Sequence, residues 1–156
     1  MDKATINCVE DYVKIGLPRE MAALLLIEVD GHPAVVAEEA EALDRILQAK
    51  AVEVQLAKDA EEAASLAAAR RTALSALARV SPTTLLEDAT VPRSKLAETF
   101  AEIERLTEKY QLTVGTFGHA GDGNLHPTIL TDRRDTEEFK RVEAAIEAIF
   151  DKALSL

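Results

Sequence analysis

The chain has 156 residues, of which 47% are hydrophobic, and its 18 Lys and Arg against 28 Asp and Glu give a net charge of −10. That length suits one domain with a sizeable core. An acidic chain without a basic stripe repels phosphate backbones, so the composition argues against nucleic-acid binding. The longest apolar run, residues 22–27, is far shorter than the roughly 20 residues that a membrane span needs. The first residues lack the apolar segment of a signal peptide, so we expect a cytoplasmic protein.

The first half of the chain alternates apolar runs with helical patterns. Pro33 suits the first turn of a helix, where its missing N–H is not needed. Residues 51–56 alternate apolar and polar side chains, which is typical of a strand with one buried face. The predicted elements are, in order, an amphipathic arm over residues 1–20, a strand over 22–29, a helix over 33–47, a strand over 51–56 and an alanine-rich helix over 59–79.

The second half continues the alternation between proline breaks. Pro82 ends the alanine-rich helix, and Pro92 ends the strand that follows it. Asp135, with Glu138 three residues later, resembles a capping box and predicts the start of the last helix. The predicted elements are a strand over residues 83–91, a helix beginning near residue 94, a strand over 112–116, a strand over 128–130 and a helix over 135–156.

Two fold classes fit this alternation. A doubly wound parallel sheet needs strands that are apolar on both faces, whereas Glu53 and Gln55 give the second strand a polar face. We therefore predict an α+β fold, a two-layer ferredoxin-like sandwich with a largely antiparallel sheet. The helices are expected on one face of the sheet, the other face being left to water or to a partner, with the strand over 22–29 in the centre.

The residues most typical of a functional site are concentrated between positions 115 and 126. Four of the six glycines fall within residues 115–123, and His119 and His126 accompany them. Gly121 and Gly123 are expected to adopt positive φ, so that the chain doubles back and brings the two imidazoles together. Two imidazoles form half of a site for a divalent metal such as zinc, which normally takes three protein ligands. The alternative is a loop whose histidines only cap backbone groups.

Residues 118–127, with the sequence GHAGDGNLHP, closely resemble the hallmark loop of the C-terminal domain of FAD-linked oxidases that act on 2-hydroxy acids. The glycolate oxidase flavin subunit and the D-lactate and D-2-hydroxyglutarate dehydrogenases belong to that family. Residues 24–31, 70–82 and 88–94 also resemble family blocks in the same order. The resemblance thus covers nearly the whole chain.

The resemblance implies the oxidation of a 2-hydroxy acid to the 2-oxo acid, with hydride transfer to FAD. His119 and His126 would be catalytic residues that bind a divalent metal, and this metal would polarise the substrate hydroxyl. Arg70 matches the family arginine that holds the substrate carboxylate, which a planar guanidinium binds through both oxygens. Asn124, in the same loop, is a candidate for contact with the cofactor.

The chain departs from the family pattern in three places. The family tryptophan near the arginine is Ala67 here, and no Glu-His-Gly motif, which supplies the third metal ligand and the base, occurs before Leu156. Nothing in the sequence supplies an FAD-binding domain. We therefore expect residues 1–156 to be a single substrate or cap domain, a fragment that is inactive alone and works with the FAD domain of the same polypeptide. Iron–sulfur or other electron-transfer subunits are expected partners, which would bring the protein to the inner face of the membrane.

Two other interpretations stay open at this point. The chain could be a complete ferredoxin-like module that binds a ligand or a partner without catalysis. It could also complete a metal site across a dimer, with a carboxylate such as Asp122 joining the two histidines.

Overall fold

The computed structural model describes residues 1–156, which fold into six α-helices and four β-strands. Residues 1–24 and 69–156 form one compact unit, and residues 25–68 form another. None of the helices combines the length and the apolar character needed to cross a membrane. The elements are α1 (Lys3–Val13), α2 (Pro33–Gln48), α3 (Ala60–Arg71), α4 (Ala73–Leu77), β1 (Thr83–Leu86), β2 (Ala89–Thr90), α5 (Leu96–Tyr110), β3 (Thr113–His119), β4 (Asn124–Thr131) and α6 (Thr136–Leu154).

The sheet is antiparallel and is built around β4. One side of β4 pairs with β3 along its whole length, from Thr113 opposite Leu130 to His119 opposite Asn124. The other side pairs first with β1 and then with β2, so these two short strands form one interrupted edge. Because both neighbours run antiparallel to β4, the doubly wound parallel sheet is excluded.

Helices α5 and α6 cover one face of the sheet. Leu106 of α5 and Val142 of α6 pack with Ile129 of β4 in a buried apolar cluster. The last helix begins as the sequence predicts, because Asp135 Oδ1 accepts hydrogen bonds from the backbone N–H groups of the first turn. This pair of layers is the two-layer sandwich predicted from the sequence.

Helices α1 and α4 contact the opposite face of the same sheet. Ile6 of α1 and Leu77 of α4 pack with Phe117 and Leu130, which project from this side. The close approach depends on Gly115, where an added Cβ would lie 2.5 Å from a methyl carbon of Leu77. Helices α1 and α4 thus cover part of the sheet face that was expected from the sequence to be left to water or to a partner.

Asp2 ties the start of α1 to the sheet. Its Oδ1 accepts a hydrogen bond from the Thr5 N–H at 2.8 Å and so caps the helix. Its Oδ2 accepts from the Thr116 N–H at 2.7 Å, and its own N–H donates to the Thr116 carbonyl at 2.8 Å. One aspartate thus both caps α1 and fixes the helix against β3.

Several predicted elements take a different form. Residues 22–29 and 51–56 are not strands, because no neighbouring segment forms a ladder with them beyond a single bridge at Ala23. Val52 and Leu56 are 87% and 83% exposed, so the apolar face predicted from their alternation is not buried. The strand over 83–91 is split into β1 and β2, and the helix over 59–79 is interrupted at Thr72. A short 3₁₀ turn over Arg93–Lys95 precedes α5.

The unit formed by residues 25–68 consists mainly of α2, the beginning of α3 and extended segments. Pro33 opens α2 as predicted, and the His32 side chain accepts a hydrogen bond from the backbone N–H of Ala34. No residue of α2 is buried, and Ile46 is 62% exposed. This unit therefore lacks a closed apolar core of its own.

Candidate active site

One end of the sheet carries polar and aromatic side chains on the face that α1 and α4 contact. Phe117 lies opposite His126, and His119 lies opposite Asn124, in the pairing of β3 with β4. Side chains alternate along a strand, so residues 124 and 126 project on the same side as Leu130. The imidazoles of His119 and His126 meet edge to face across this hairpin, with ring centroids 5.5 Å apart and planes at 87°.

The turn between β3 and β4 explains why glycines accumulate here. Gly123 has φ of +75°, and a Cβ on it would overlap the carbonyl oxygen of Val91. A Cβ on Gly118 would overlap the carbonyl oxygen of Asn124 on the opposite strand. Positive φ is confirmed at Gly123 but not at Gly121. The glycines thus allow close backbone approach, which brings the two histidines together.

Arg70 reaches this end of the sheet from the last turn of α3. Its guanidinium Nη2 lies 3.1 Å from His119 Nε2, and its Cζ lies 5.9 Å from the centre of the Phe117 ring. A guanidinium has only donors, so Nε2 of His119 accepts this hydrogen bond and the imidazole carries its proton on Nδ1. Arg70 has no carboxylate within ion-pair distance, although the chain contains ten ion pairs.

His126 lies deeper than His119. Its side chain is 15% exposed, and its ring packs at a tilt against Phe117 with centroids 5.3 Å apart. His126 Nδ1 is 2.6 Å from Asp88 Oδ1, but the oxygen lies off the direction of the ring N–H, and Nδ1 makes no aligned hydrogen bond. The Asp88 side chain itself is 64% exposed.

Asn124 connects the edge of the sheet to the same cluster. Its side-chain oxygen accepts a hydrogen bond from the Thr90 hydroxyl at 3.3 Å, and its amide donates to Asp88 Oδ1 at 3.4 Å. The asparagine predicted to contact the cofactor therefore lies beside the histidines, with its polar atoms directed toward the strand edge.

The cluster lacks the full ligand set of a metal site. Imidazole nitrogens suit zinc and similar divalent ions, which in catalytic sites take three protein ligands. No group of three or more His, Cys, Asp or Glu side chains in residues 1–156 is arranged to hold an ion. His119 and His126 supply two imidazoles but no third ligand, and His119 Nε2 faces the Arg70 guanidinium.

The structure brings together all four side chains predicted from the sequence. Arg70, His119, His126 and Asn124 come from α3, β3 and β4 and lie in one cluster. The sequence did not single out three further members, which are Asp88, Thr90 and Phe117. Residue 88 falls in a block that resembles the family, but only the strand register shows that it faces His126.

The whole chain, residues 1–156, matches the family described as FAD linked oxidases, C-terminal domain. The chain belongs to this family. The resemblance carried by residues 118–127 is thereby confirmed over the full length, and the α+β fold of this C-terminal domain is the one described above.

The curated relatives that match this chain are longer proteins, each of which contains a matching segment. The glycolate oxidase subunit GlcD of Bacillus subtilis (strain 168) is 52% identical over 157 residues, which is 100% of this chain and 33% of that protein. GlcD of Escherichia coli (strain K12) is 40% identical over 144 residues, or 92% of this chain and 29% of that protein. A D-lactate dehydrogenase of Anaerostipes hadrus is 32% identical over 139 residues, which is 86% of this chain and 29% of that protein. The chain thus spans about a third of the length of the curated relatives it matches.

Proposed function

We propose that this chain is the substrate-side domain of an FAD-dependent oxidoreductase that converts a small 2-hydroxy acid, of the glycolate or D-lactate type, into the 2-oxo acid. The single observation that carries this proposal is the convergence of the Arg70 guanidinium with the imidazoles of His119 and His126 on one face of the sheet. A fixed cation suits the carboxylate of such a substrate, and imidazoles beside it suit the neighbouring hydroxyl. The names of the relatives support the same reaction class.

Arg70 is the residue we assign to the substrate carboxylate. Its guanidinium lies near the Phe117 ring, has no carboxylate partner in the chain, and donates only to a neutral imidazole. A carboxylate is a stronger acceptor for a guanidinium than an imidazole nitrogen, because the hydrogen bonds are charge-assisted and bidentate. Substrate binding therefore turns Arg70 away from His119.

When Arg70 turns to the substrate carboxylate, His119 loses its hydrogen bond from the guanidinium. Once the guanidinium binds the carboxylate, His119 Nε2 has a free lone pair beside the substrate hydroxyl. His126, with its ring edge-on to His119, holds the second imidazole at the same place. A divalent metal held by these two imidazoles and a further ligand would lower the pKa of the substrate hydroxyl.

The reaction requires a hydride acceptor. An FAD-binding domain of the same polypeptide would supply FAD as the acceptor of the hydride from the substrate Cα, and the hydroxyl proton would pass to a base as the C=O bond forms. In this proposal Asn124 is a candidate contact to the cofactor. The reduced flavin would pass its electrons to iron–sulfur or other electron-transfer subunits, which would hold the protein at the inner face of the membrane.

The proposal is tested by a dye-linked assay of the complete polypeptide that carries this chain. Turnover is expected with glycolate or D-lactate and is expected to fall sharply with glycolamide, in which an uncharged amide replaces the carboxylate. A flavin-loaded protein that oxidises neither acid, or that oxidises glycolamide equally well, contradicts the proposal.

A further inference from the structure

His126 has a buried ring nitrogen that lies beside a carboxylate. Its Nδ1 is shielded from solvent and makes no aligned hydrogen bond, and Asp88 Oδ1 at 2.6 Å is the carboxylate beside it. A buried polar atom without a partner destabilises a fold, so a small turn of the exposed Asp88 side chain toward the ring N–H is favourable. This carboxylate takes no part in the function proposed above.

The strand register shows that this proximity is built into the sheet. Leu86 of β1 lies opposite Thr128, and Ala89 of β2 lies opposite Leu125, so the register of the edge is continuous across the gap between the two strands. Residue 88 is therefore directly opposite residue 126. The Glu87 N–H donates to the Pro127 carbonyl at 3.0 Å, which keeps the edge attached at this point.

The carboxylate is held by more than the histidine. Asp88 Oδ1 accepts from the Asn124 amide at 3.4 Å, and the Asn124 side-chain oxygen in turn accepts from the Thr90 hydroxyl. These contacts connect the edge strand to β4 at two successive levels of the sheet. They limit how far the carboxylate moves from the imidazole.

We propose that Asp88 is a positioning residue that holds His126 in the tautomer with its proton on Nδ1 and its lone pair on Nε2. A carboxylate only accepts hydrogen bonds, so a neutral imidazole that faces it donates from Nδ1 and leaves Nε2 unprotonated. A carboxylate that orients a functional imidazole in this way is a general device. His119 reaches the same state by another route, because Arg70 donates to its Nε2. Both imidazoles then present an Nε2 lone pair, which is the state that the proposed function requires and on which this inference rests.

The test is a long-range ¹H–¹⁵N correlation spectrum of the histidines in the ¹⁵N-labelled full chain, recorded at about pH 9, above the ordinary titration range of imidazole. We expect Nδ1 of His126 to show the shift of a protonated nitrogen and Nε2 that of an unprotonated one. Asp88→Ala should lower the ratio of the Nδ1–H to the Nε2–H form by roughly tenfold or more, as the loss of a charge-assisted hydrogen bond implies.

Two further variants separate positioning from a general effect of charge or folding. Asp88→Asn keeps an acceptor oxygen and should restore part of the Nδ1–H population. Asp122→Ala removes an exposed carboxylate from the adjoining turn and should leave the His126 tautomer unchanged. The inference is overturned if His126 in the unmodified chain carries its proton on Nε2, or if Asp88→Ala and Asp122→Ala give the same spectrum.

This measurement involves neither flavin nor substrate, so its result is independent of the dye-linked assay. A confirmed tautomer with no 2-hydroxy acid oxidation leaves the role of Asp88 intact and contradicts the proposed function. Oxidation of a 2-hydroxy acid, together with a His126 tautomer that does not change in Asp88→Ala, supports the proposed function and contradicts the role of Asp88.

Discussion

Arg70 and His119 are 49 residues apart in the chain, yet the guanidinium Nη2 of the first lies 3.1 Å from Nε2 of the second. The contact joins the end of α3 to the end of β3. A cation whose only acceptor is a neutral imidazole is poised to exchange it for an anion. This contact leaves the Arg70 guanidinium available for the carboxylate of the proposed substrate.

Arg70→Lys in the complete polypeptide is expected to raise the apparent KM for the 2-hydroxy acid by roughly tenfold or more, with a smaller effect on kcat, because lysine cannot form the bidentate contact. Steady-state kinetics check this. Arg71→Lys is the matched control, since Arg71 is the exposed next residue on the same helix. Equal KM values in the two variants would remove Arg70 from the carboxylate site.

His119→Ala and His126→Ala should each lower kcat by roughly 100-fold or more, which is the scale on which positioned acid–base groups act. Their stabilities should differ, because His119 is exposed whereas the His126 ring is mostly buried against Phe117. We expect urea denaturation to show a loss of about 1–3 kcal/mol for His126→Ala and almost none for His119→Ala. His32→Ala, a histidine far from this cluster in the sequence, is the control for activity. Normal turnover in both site variants contradicts the assignment.

Gly115→Ala should destabilise the fold by roughly 1–3 kcal/mol, the usual effect of overpacking a core. The new Cβ would lie 2.5 Å from Leu77 Cδ2 and 2.9 Å from Thr5 Oγ1, which forces α4 and α1 away from β3. Gly121→Ala is the matched control, because its Cβ would meet no atom within 4 Å. Urea denaturation of both variants decides the matter, and equal midpoints would mean that α1 and α4 do not pack here as described.

Asp132 provides a pH-dependent prediction away from the site. Hydrogen bonds from the Arg134 side chain and backbone lower the pKa of Asp132 to about 2 from its ordinary value of 3.8. A carboxyl whose pKa is lowered by folding stabilises the fold above its unfolded pKa, and this contribution is lost as the pH falls from about 3.8 through about 2. Arg134 is exposed and Asp132 is only partly shielded from solvent, so the effect on stability is small. NMR titration should find the low pKa in the parent and a higher one in Arg134→Ala, and an unchanged value in that variant would exclude the Arg134 contact as its cause.

The sequence predicted best those features that depend on local chemistry. Pro33 and Asp135 begin helices where expected, because each satisfies the backbone of a helix start without help from distant residues. Even so, the capping box is incomplete. The Glu138 carboxylate accepts from the Thr131 hydroxyl at 2.6 Å, a contact between a helix and β4 that no local pattern contains.

The incorrect predictions concern which segments pair with one another rather than the local preference of a segment for helix or strand. Residues 51–56 have the alternation of a strand, but alternation specifies an apolar face and not the neighbour that completes a ladder. The sequence does not indicate Asp88 for the same reason, since its contact with His126 depends on the register of β1 and β2 on β4. The glycines and histidines of residues 115–126, in contrast, can be recognised from the sequence alone because they lie close together in it.

Anaerobic reduction of the flavin in a single turnover tests whether Arg70 binds the carboxylate of a 2-hydroxy acid. The complete polypeptide, loaded with FAD, is mixed with glycolate or D-lactate, and the flavin absorbance is followed for the unmodified protein, Arg70→Ala and Arg71→Ala. We expect rapid bleaching in the unmodified protein and in Arg71→Ala. In Arg70→Ala, bleaching should be slower by roughly 100-fold at the same substrate concentration, because the charge-assisted carboxylate contact is lost. A flavin that stays oxidised with both acids, or that bleaches equally fast in Arg70→Ala, contradicts this role of Arg70.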